Sequence, residues 1–154
     1  MKLLIQRVRE AAVAVDGETI GQIGHGLLVF VGVADTDTKQ IADKLVDKMT
    51  KLRIFDDAQG KTNLAAADVQ GEFLIVSQFT LYADCRKGNR PSFSNAGKPE
   101  ESKRLYECFI ARAKQDITHV DSGEFGADMQ VTLTNDGPFT IWLDTDELKK
   151  SRKD

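Results

Sequence analysis

The sequence predicts an α+β fold, a mostly antiparallel curved sheet or partly closed barrel with two helices packed on it. Three features predict it. Strand-like apolar runs crowd both ends of the chain, two stretches between them carry helical periodicity, and hairpin-type turn signals join the strands.

Leu3, Ile5 and Val8 open a first strand that continues through Val13 and Val15. Asp16-Gly17 follows as a hairpin signal, because glycine accepts positive φ and aspartate tolerates it. Leu27 to Val33 is a continuous apolar run, the pattern of a strand covered on both faces. Ile41, Ala42, Leu45, Val46, Met49 and Leu52 then recur at helical spacing, with Asp37 or Thr38 placed to cap the start. Ile54-Phe55 is a short strand ended by Asp56 to Gly60, and Phe73 to Leu81 is the next strong strand. A glycine- and proline-bearing loop from Asp84 to Lys98 leads to Pro99, which suits the first turn of a second helix with Leu105, Tyr106, Phe109, Ile110 and Ala113 on one face. Met129, Val131 and Leu133 alternate with polar residues as a strand. Asn135-Asp136-Gly137-Pro138 reads as a turn, and Phe139 to Leu143 as the last strand.

The 154 residues form one domain over 1–145, followed by a charged tail over 146–154 that is expected to fray. Hydrophobic residues make up 41% and charged residues 29%, which excludes whole-chain disorder and coiled coil. No apolar run spans a bilayer, and the stretch Met1 to Val8 is too short and too interrupted by Gln6 and Arg7 for a signal peptide, so a cytoplasmic location without a membrane partner is expected. The net charge of -3 argues against a protein that coats DNA, and no DNA partner is expected. Cys85 and Cys108 make no disulfide framework, and His25 and His119 are too few for a metal-ligand pattern, so neither metal nor cofactor is expected.

Three segments carry polar groups where packing alone does not call for them. Ser77, Gln78 and Thr80 interrupt a run that opens as Phe73-Leu74-Ile75-Val76. Buried, such groups need hydrogen-bond partners, so they either satisfy a strand end or face a ligand. Asn135-Asp136-Gly137-Pro138 is first a tight turn, but Pro138-Phe139 also puts apolar surface at its tip, which a partner subunit could cover. Arg86, Lys87 and Arg90, interleaved with Phe93, suit either a solvated loop or contact with phosphates and bases. Met129 reads as a core or pocket-wall methionine. Cys85 with His119 is a conceivable nucleophile pair, although the sequence does not show their contact.

Ser77-Gln78-Phe79-Thr80-Leu81, then Arg90-Pro91-Ser92-Phe93-Ser94, Ala127-Asp128-Met129-Gln130-Val131 and Asn135-Asp136-Gly137-Pro138, together resemble the D-aminoacyl-tRNA deacylase family. Ile5-Gln6-Arg7-Val8 and the run Gly26 to Val29 also resemble it, so the likeness covers Lys2 to about Leu143 in order, without large insertion. It implies a cytoplasmic homodimer that hydrolyses the ester between a D-amino acid and tRNA, with a fold similar to an editing domain appended to some archaeal threonyl-tRNA synthetases. It implies that Ser77, Gln78, Phe79 and Thr80 line a catalytic pocket. It further implies that Gly137 and a cis Pro138 reach into the partner's pocket to select chirality, that Arg7 holds their loop, and that Met129 walls the pocket.

Such an enzyme accepts many D side chains and refuses L ones, so selection has to act around the Cα. A backbone wedge at Gly137 suits this, since no Cβ prevents close approach. Glycyl-tRNA, with no side chain to exclude, is then also a substrate. The amides near Phe79 and Thr80 are placed to stabilise the oxyanion, with the tRNA 2′-OH assisting; Thr80 as nucleophile is the competing mechanism. Arg86, Lys87 and Arg90 are assigned to the tRNA backbone. A non-catalytic tRNA- or RNA-binding module is the alternative function.

Overall fold

The computed structural model describes residues 1–150. Strand β1 (Lys2–Val15) turns through Asp16 and Gly17, both at positive φ (51° and 81°), into β2 (Glu18–Ile23), as the hairpin signal predicts. The buried strand β3 (Gly26–Gly32) pairs antiparallel with β1. Helix α1 (Lys39–Thr50) follows, and Thr38 rather than Asp37 caps it, its hydroxyl accepting from the Ile41 amide at 3.2 Å. Asp37 instead accepts from the Met1 ammonium at 2.8 Å in a buried ion pair and from the Ala34 amide at 2.7 Å.

A small hairpin of β4 (Phe55–Asp56) and β5 (Thr62–Leu64) leads to β6 (Glu72–Ser77). Helix α2 (Pro99–Ala113) precedes β7 (Val120–Ser122), and the long strand β8 (Gln130–Asp144) returns along β1. One helical turn, α3 (Thr145–Leu148), begins the charged tail, its start capped by the Asp144 carboxylate. The end of the expected frayed tail, 151–154, lies outside the described residues.

The main sheet runs β2-β1-β3-β6-β7, with β8 on β1. Its pairings with β1 are antiparallel, whereas β3-β6 and β6-β7 are parallel. Each parallel pair is separated in sequence by a helix, which supplies the crossover that parallel strands need. The sheet curls until β2 and β7 meet. Side chains make that seam: the Gln22 amide donates to Asp121 at 2.8 Å, and His119 Nε2 lies 3.1 Å from the Gln22 carbonyl. That carbonyl is the main reason the His119 pKa is raised.

Two apolar layers result. Leu3, Ile5, Leu27, Val29, Phe73 and Ile75 face the helices and pack on Leu45, Met49, Leu105 and Phe109. Val8, Ala11, Val13, Ile23, Leu28, Leu74 and Val76 fill the barrel interior. β1 therefore serves both layers, Leu3 and Ile5 in the first and Val8, Ala11 and Val13 in the second. Its ladder to β8 is irregular beside Val8, because Gln6 pairs with Thr140 but Val8 pairs with Asn135. Two steps along β1 thus match five along β8, and the surplus forms a bulge at Asp136–Phe139. The Asn135–Pro138 segment is accordingly not a turn between two strands but a bulge within one.

Candidate active site

β6 ends at Ser77, earlier than the expected strand to Leu81. The Gln78 amide donates to the Val31 carbonyl at 2.8 Å, and the chain then tightens into a 3-10 turn, Phe79–Tyr82. As the leading amides of that turn, those of Phe79 and Thr80 have no partner within it. Tyr82 anchors the turn: it is buried, which pushes its hydroxyl pKa well up, and the Lys2 ammonium lies 4.5 Å from its ring centroid.

Beside this strand end opens a cavity of about 580 Å³. Val31, Val33, Val76, Met129 and Val131 give it apolar walls, and Ser77, Gln78, Asp128 and Ser102 contribute its polar side chains. Phe79 and Phe93 form the rim, ring centroids 5.0 Å apart, and Phe79 is 56% exposed. Thr80 does not line the cavity; its hydroxyl accepts a hydrogen bond from the Gln78 side-chain amide. Of the residues assigned to the pocket, Ser77, Gln78, Phe79 and Met129 are thus together, with Thr80 behind them.

Under the strand, the Tyr106 hydroxyl donates to the Ile75 carbonyl at 2.7 Å, and burial pushes its pKa up to about 12. The phenol therefore stays protonated and holds β6 just before Ser77.

Gly137 and Pro138 lie elsewhere. Neither they nor Arg7 line the cavity. Their peptide bond is cis, and both residues are exposed. The bulge that carries them is held from below by Arg7, itself only 9% exposed. Arg7 Nε donates to the Asp136 carbonyl at 3.0 Å, Nη1 donates to the Ile54 carbonyl at 2.7 Å, and the guanidinium lies 4.6 Å from the Phe139 ring centroid. The Asp136 carboxylate is ringed by Arg7 at 3.6 Å, Arg9 at 3.5 Å and His25 at 3.9 Å. Asn135 replaces the ladder bonds lost in the bulge, accepting from the Phe139 amide at 2.6 Å and donating to Thr140 Oγ1 at 3.1 Å. Gly137 has φ 144°, and a Cβ there would sit 3.0 Å from the Phe139 amide nitrogen and 3.4 Å from Arg7.

The basic loop joins the cavity through Phe93. The Asp84 and Ser92 backbones bridge its base. Arg86, Lys87 and Arg90 are all exposed, but Arg86 is engaged by Asp84 in a two-pronged pair at 2.8 and 2.9 Å. That pairing holds the Asp84 pKa down at about 2. Cys85 is exposed in the same loop, while His119 is engaged at the β2-β7 seam by Gln22 and Asp121, so the structure does not assemble that conceivable pair. Among the described residues no group of three or more His, Cys, Asp or Glu side chains could hold a metal ion, and no helix is long and apolar enough to cross a membrane.

Sequence reasoning missed Ala96, Gly97, Ser102 and Phe125 as cavity residues and Arg9, His25 and Asn135 as supports of the bulge.

Residues 4–144 match the family model described as D-Tyr-tRNA(Tyr) deacylase. A D-aminoacyl-tRNA deacylase of Lactobacillus helveticus (strain DPC 4571) is 54% identical over 144 residues, 94% of this chain and 99% of the relative. One of Thermosipho africanus (strain TCF52B) is 52% identical over 148 residues, 96% of this chain and 99% of the relative. Among solved structures, a c-Myc DNA unwinding element binding protein superposes with a TM-score of 0.89 at 40% identity, covering 94% of this chain and 98% of that one. A probable eukaryotic D-amino acid tRNA deacylase shares the fold, with a TM-score of 0.79 at 17% identity over 92% of this chain and 97% of that one. By this family match and these full-length identities, the chain belongs to the D-Tyr-tRNA(Tyr) deacylase family.

Proposed function

We propose that this protein is a cytoplasmic enzyme that hydrolyses the ester joining a D-amino acid to tRNA, and that it works as a homodimer. The observation that carries the reading is the division of the molecule. A cavity with an apolar wall and a polar strand end lies apart from a rigidly held, exposed Gly137-Pro138 bulge. Each is half of a site, and two copies related by a two-fold axis would complete both. A surface for the second copy is available: Trp142, Leu4 and Phe30 stand side by side across β8, β1 and β3, with Trp142 46% exposed.

In this account the 3′-terminal aminoacyl-adenosine enters the cavity past Phe79 and Phe93. The amides of Phe79 and Thr80 stabilise the oxyanion as water adds to the ester carbonyl. The tRNA 2′-OH assists the proton transfers, and the 3′ oxygen leaves with the proton. Thr80 is a poor nucleophile here, because its hydroxyl already accepts from Gln78, and His25 and His119 are engaged at Asp136 and Gln22. The partner's bulge places main-chain carbonyls toward the substrate ammonium and occupies the space of an L side chain. Glycyl-tRNA therefore passes. Lys87, Arg90 and, less freely, Arg86 contact tRNA phosphates.

The basic loop, together with the likeness to a protein named for binding a DNA unwinding element, favours one second reading: nucleic-acid binding without catalysis. Purified protein incubated with D-tyrosyl-, L-tyrosyl- and glycyl-tRNA separates the two. The deacylase reading predicts release from the first and third only. Binding with no release from any supports the second reading, and equal release of both tyrosine enantiomers contradicts the wedge.

A further inference from the structure

β6 loses one of its neighbours just where the site begins. Its ladder to β7 ends at the pair Ile75–Ser122, while its ladder to β3 runs on to Ser77. Backbone groups along β6 alternate between the two neighbours. Phe73 and Ile75 bond toward β7, through the His119 carbonyl and the Gly123 amide at 3.0 Å each, and the Gln78 amide bonds toward β3. By that alternation the Ser77 amide points to the side that β7 has left. The Tyr106 hydroxyl stands on that side. Tyr106 is 3% exposed on the buried face of α2, and its hydroxyl donates to the Ile75 carbonyl at 2.7 Å. The Ser77 and Gly123 amides and the Ser122 hydroxyl also face it and favour a phenolate, but burial outweighs them. Its ring lies against Phe125 of the cavity wall, centroids 6.0 Å apart.

We infer that Tyr106 is a positioning residue for the hydrolysis: its hydroxyl takes the place of a missing β7 residue and fixes the end of β6, so that the Phe79 and Thr80 amides meet the oxyanion. The inference rests on the deacylase reading for the reaction. Tyr106 does not line the cavity, so it acts through the strand and not on the substrate. The strand end is gripped from two sides, by the Val31 carbonyl at 2.8 Å from the Gln78 amide and by the Tyr106 hydroxyl opposite, and the turn that carries both amides starts at the next residue. Such amides stabilise developing charge only if they are in place when it forms. Removing the hydroxyl does not orphan the Ile75 carbonyl, which keeps the Gly123 amide. Its loss therefore acts on geometry more than on stability.

The test compares the full chain with its Tyr106→Phe variant. KM and kcat are measured with D-tyrosyl- and glycyl-tRNA, and amide hydrogen exchange is followed by NMR. Tyr106→Phe lowers kcat by about 10-fold for both substrates, with KM within about twofold of the parent and L-tyrosyl-tRNA still intact. The Ser77 amide exchanges about 10-fold faster, and the melting temperature falls by no more than about 4 °C. A kcat within about twofold of the parent overturns the inference. So does a loss carried by KM, or one that disappears on cooling well below the melting temperature, since either makes the hydroxyl a structural bond alone. If the parent itself cleaves neither substrate, the deacylase reading fails. Faster exchange at Ser77 then still supports the grip on the strand end, and unchanged exchange overturns it.

Discussion

Around the cavity the protein leaves groups free, while at the bulge it ties them down. Phe79 projects from a short 3-10 turn into solvent, and the buried Ser102 hydroxyl has no hydrogen-bond partner among the described residues. At the bulge, Arg7 is buried and uses two nitrogens on two carbonyls, Asn135 bridges the bulge, and Asp136 is faced by two arginines and a histidine. On the proposed reading, the contrast follows from what each region would have to do. A cavity that receives a varied ligand needs unpaired groups and apolar walls. A wedge that distinguishes mirror images needs a fixed backbone, because an error of about 1 Å in position can cost two orders of magnitude in rate.

Removing the main support of the bulge is the severest challenge to this contrast. Arg7→Ala leaves the buried Ile54 carbonyl and the Asp136 backbone without their donor. It costs about 3 kcal/mol of stability, measured by urea unfolding. D-tyrosyl-tRNA hydrolysis falls about 100-fold at temperatures where the variant is still folded. Gly137→Ala comes next. A Cβ at φ 144° and 3.0 Å from a backbone nitrogen shifts the bulge, and single-turnover kinetics show a loss of about 10-fold.

On the cavity side, replacing Arg86, Lys87 and Arg90 together with glutamine weakens tRNA binding and lowers the salt dependence of log K by about 2. The decrease is smaller than for three free cations because Asp84 already neutralises Arg86. Thr80→Ala removes a hydroxyl held by Gln78 and changes the rate by no more than about threefold. A loss of several orders of magnitude would restore Thr80 as nucleophile.

The smallest effect is on Asp84 itself. A depressed carboxylate pKa means that its pairing with Arg86 contributes fully above the unfolded value of 3.8 and is lost as pH falls through about 2. A carboxyl NMR titration should find that low midpoint, and Arg86→Ala should return it to the ordinary aspartate range.

The polar strand end beside the cavity was legible because it breaks a pattern. Ser77 and Gln78 follow four apolar residues in a strand that has no packing reason to turn polar. The helices were legible from periodicity, and Pro99 marked the start of α2. The parallel pairings of β6 were not, since a short apolar run looks alike in either direction. The end of β6 at Ser77 was also hidden, because it depends on the Val31 carbonyl and the burial of Tyr82. The Arg7 support was named only by family likeness. Its partners, Ile54 and Asp136, lie 47 and 129 residues away, and no local rule joins them. Ser102 escaped notice because a serine in an early helical turn is unremarkable until its hydroxyl is seen to have no partner among the described residues.

The most direct measurement mixes two defective copies. Gly137→Ala spoils the bulge and leaves the cavity, whereas Ala96→Trp fills the cavity and leaves the bulge. Refolded together in equal amounts, they should recover about a quarter of the parent's D-tyrosyl-tRNA hydrolysis, since half the dimers then hold one intact cavity facing one intact bulge. If the mixture is no more active than its two components, each cavity works without its partner's bulge, and the account is wrong.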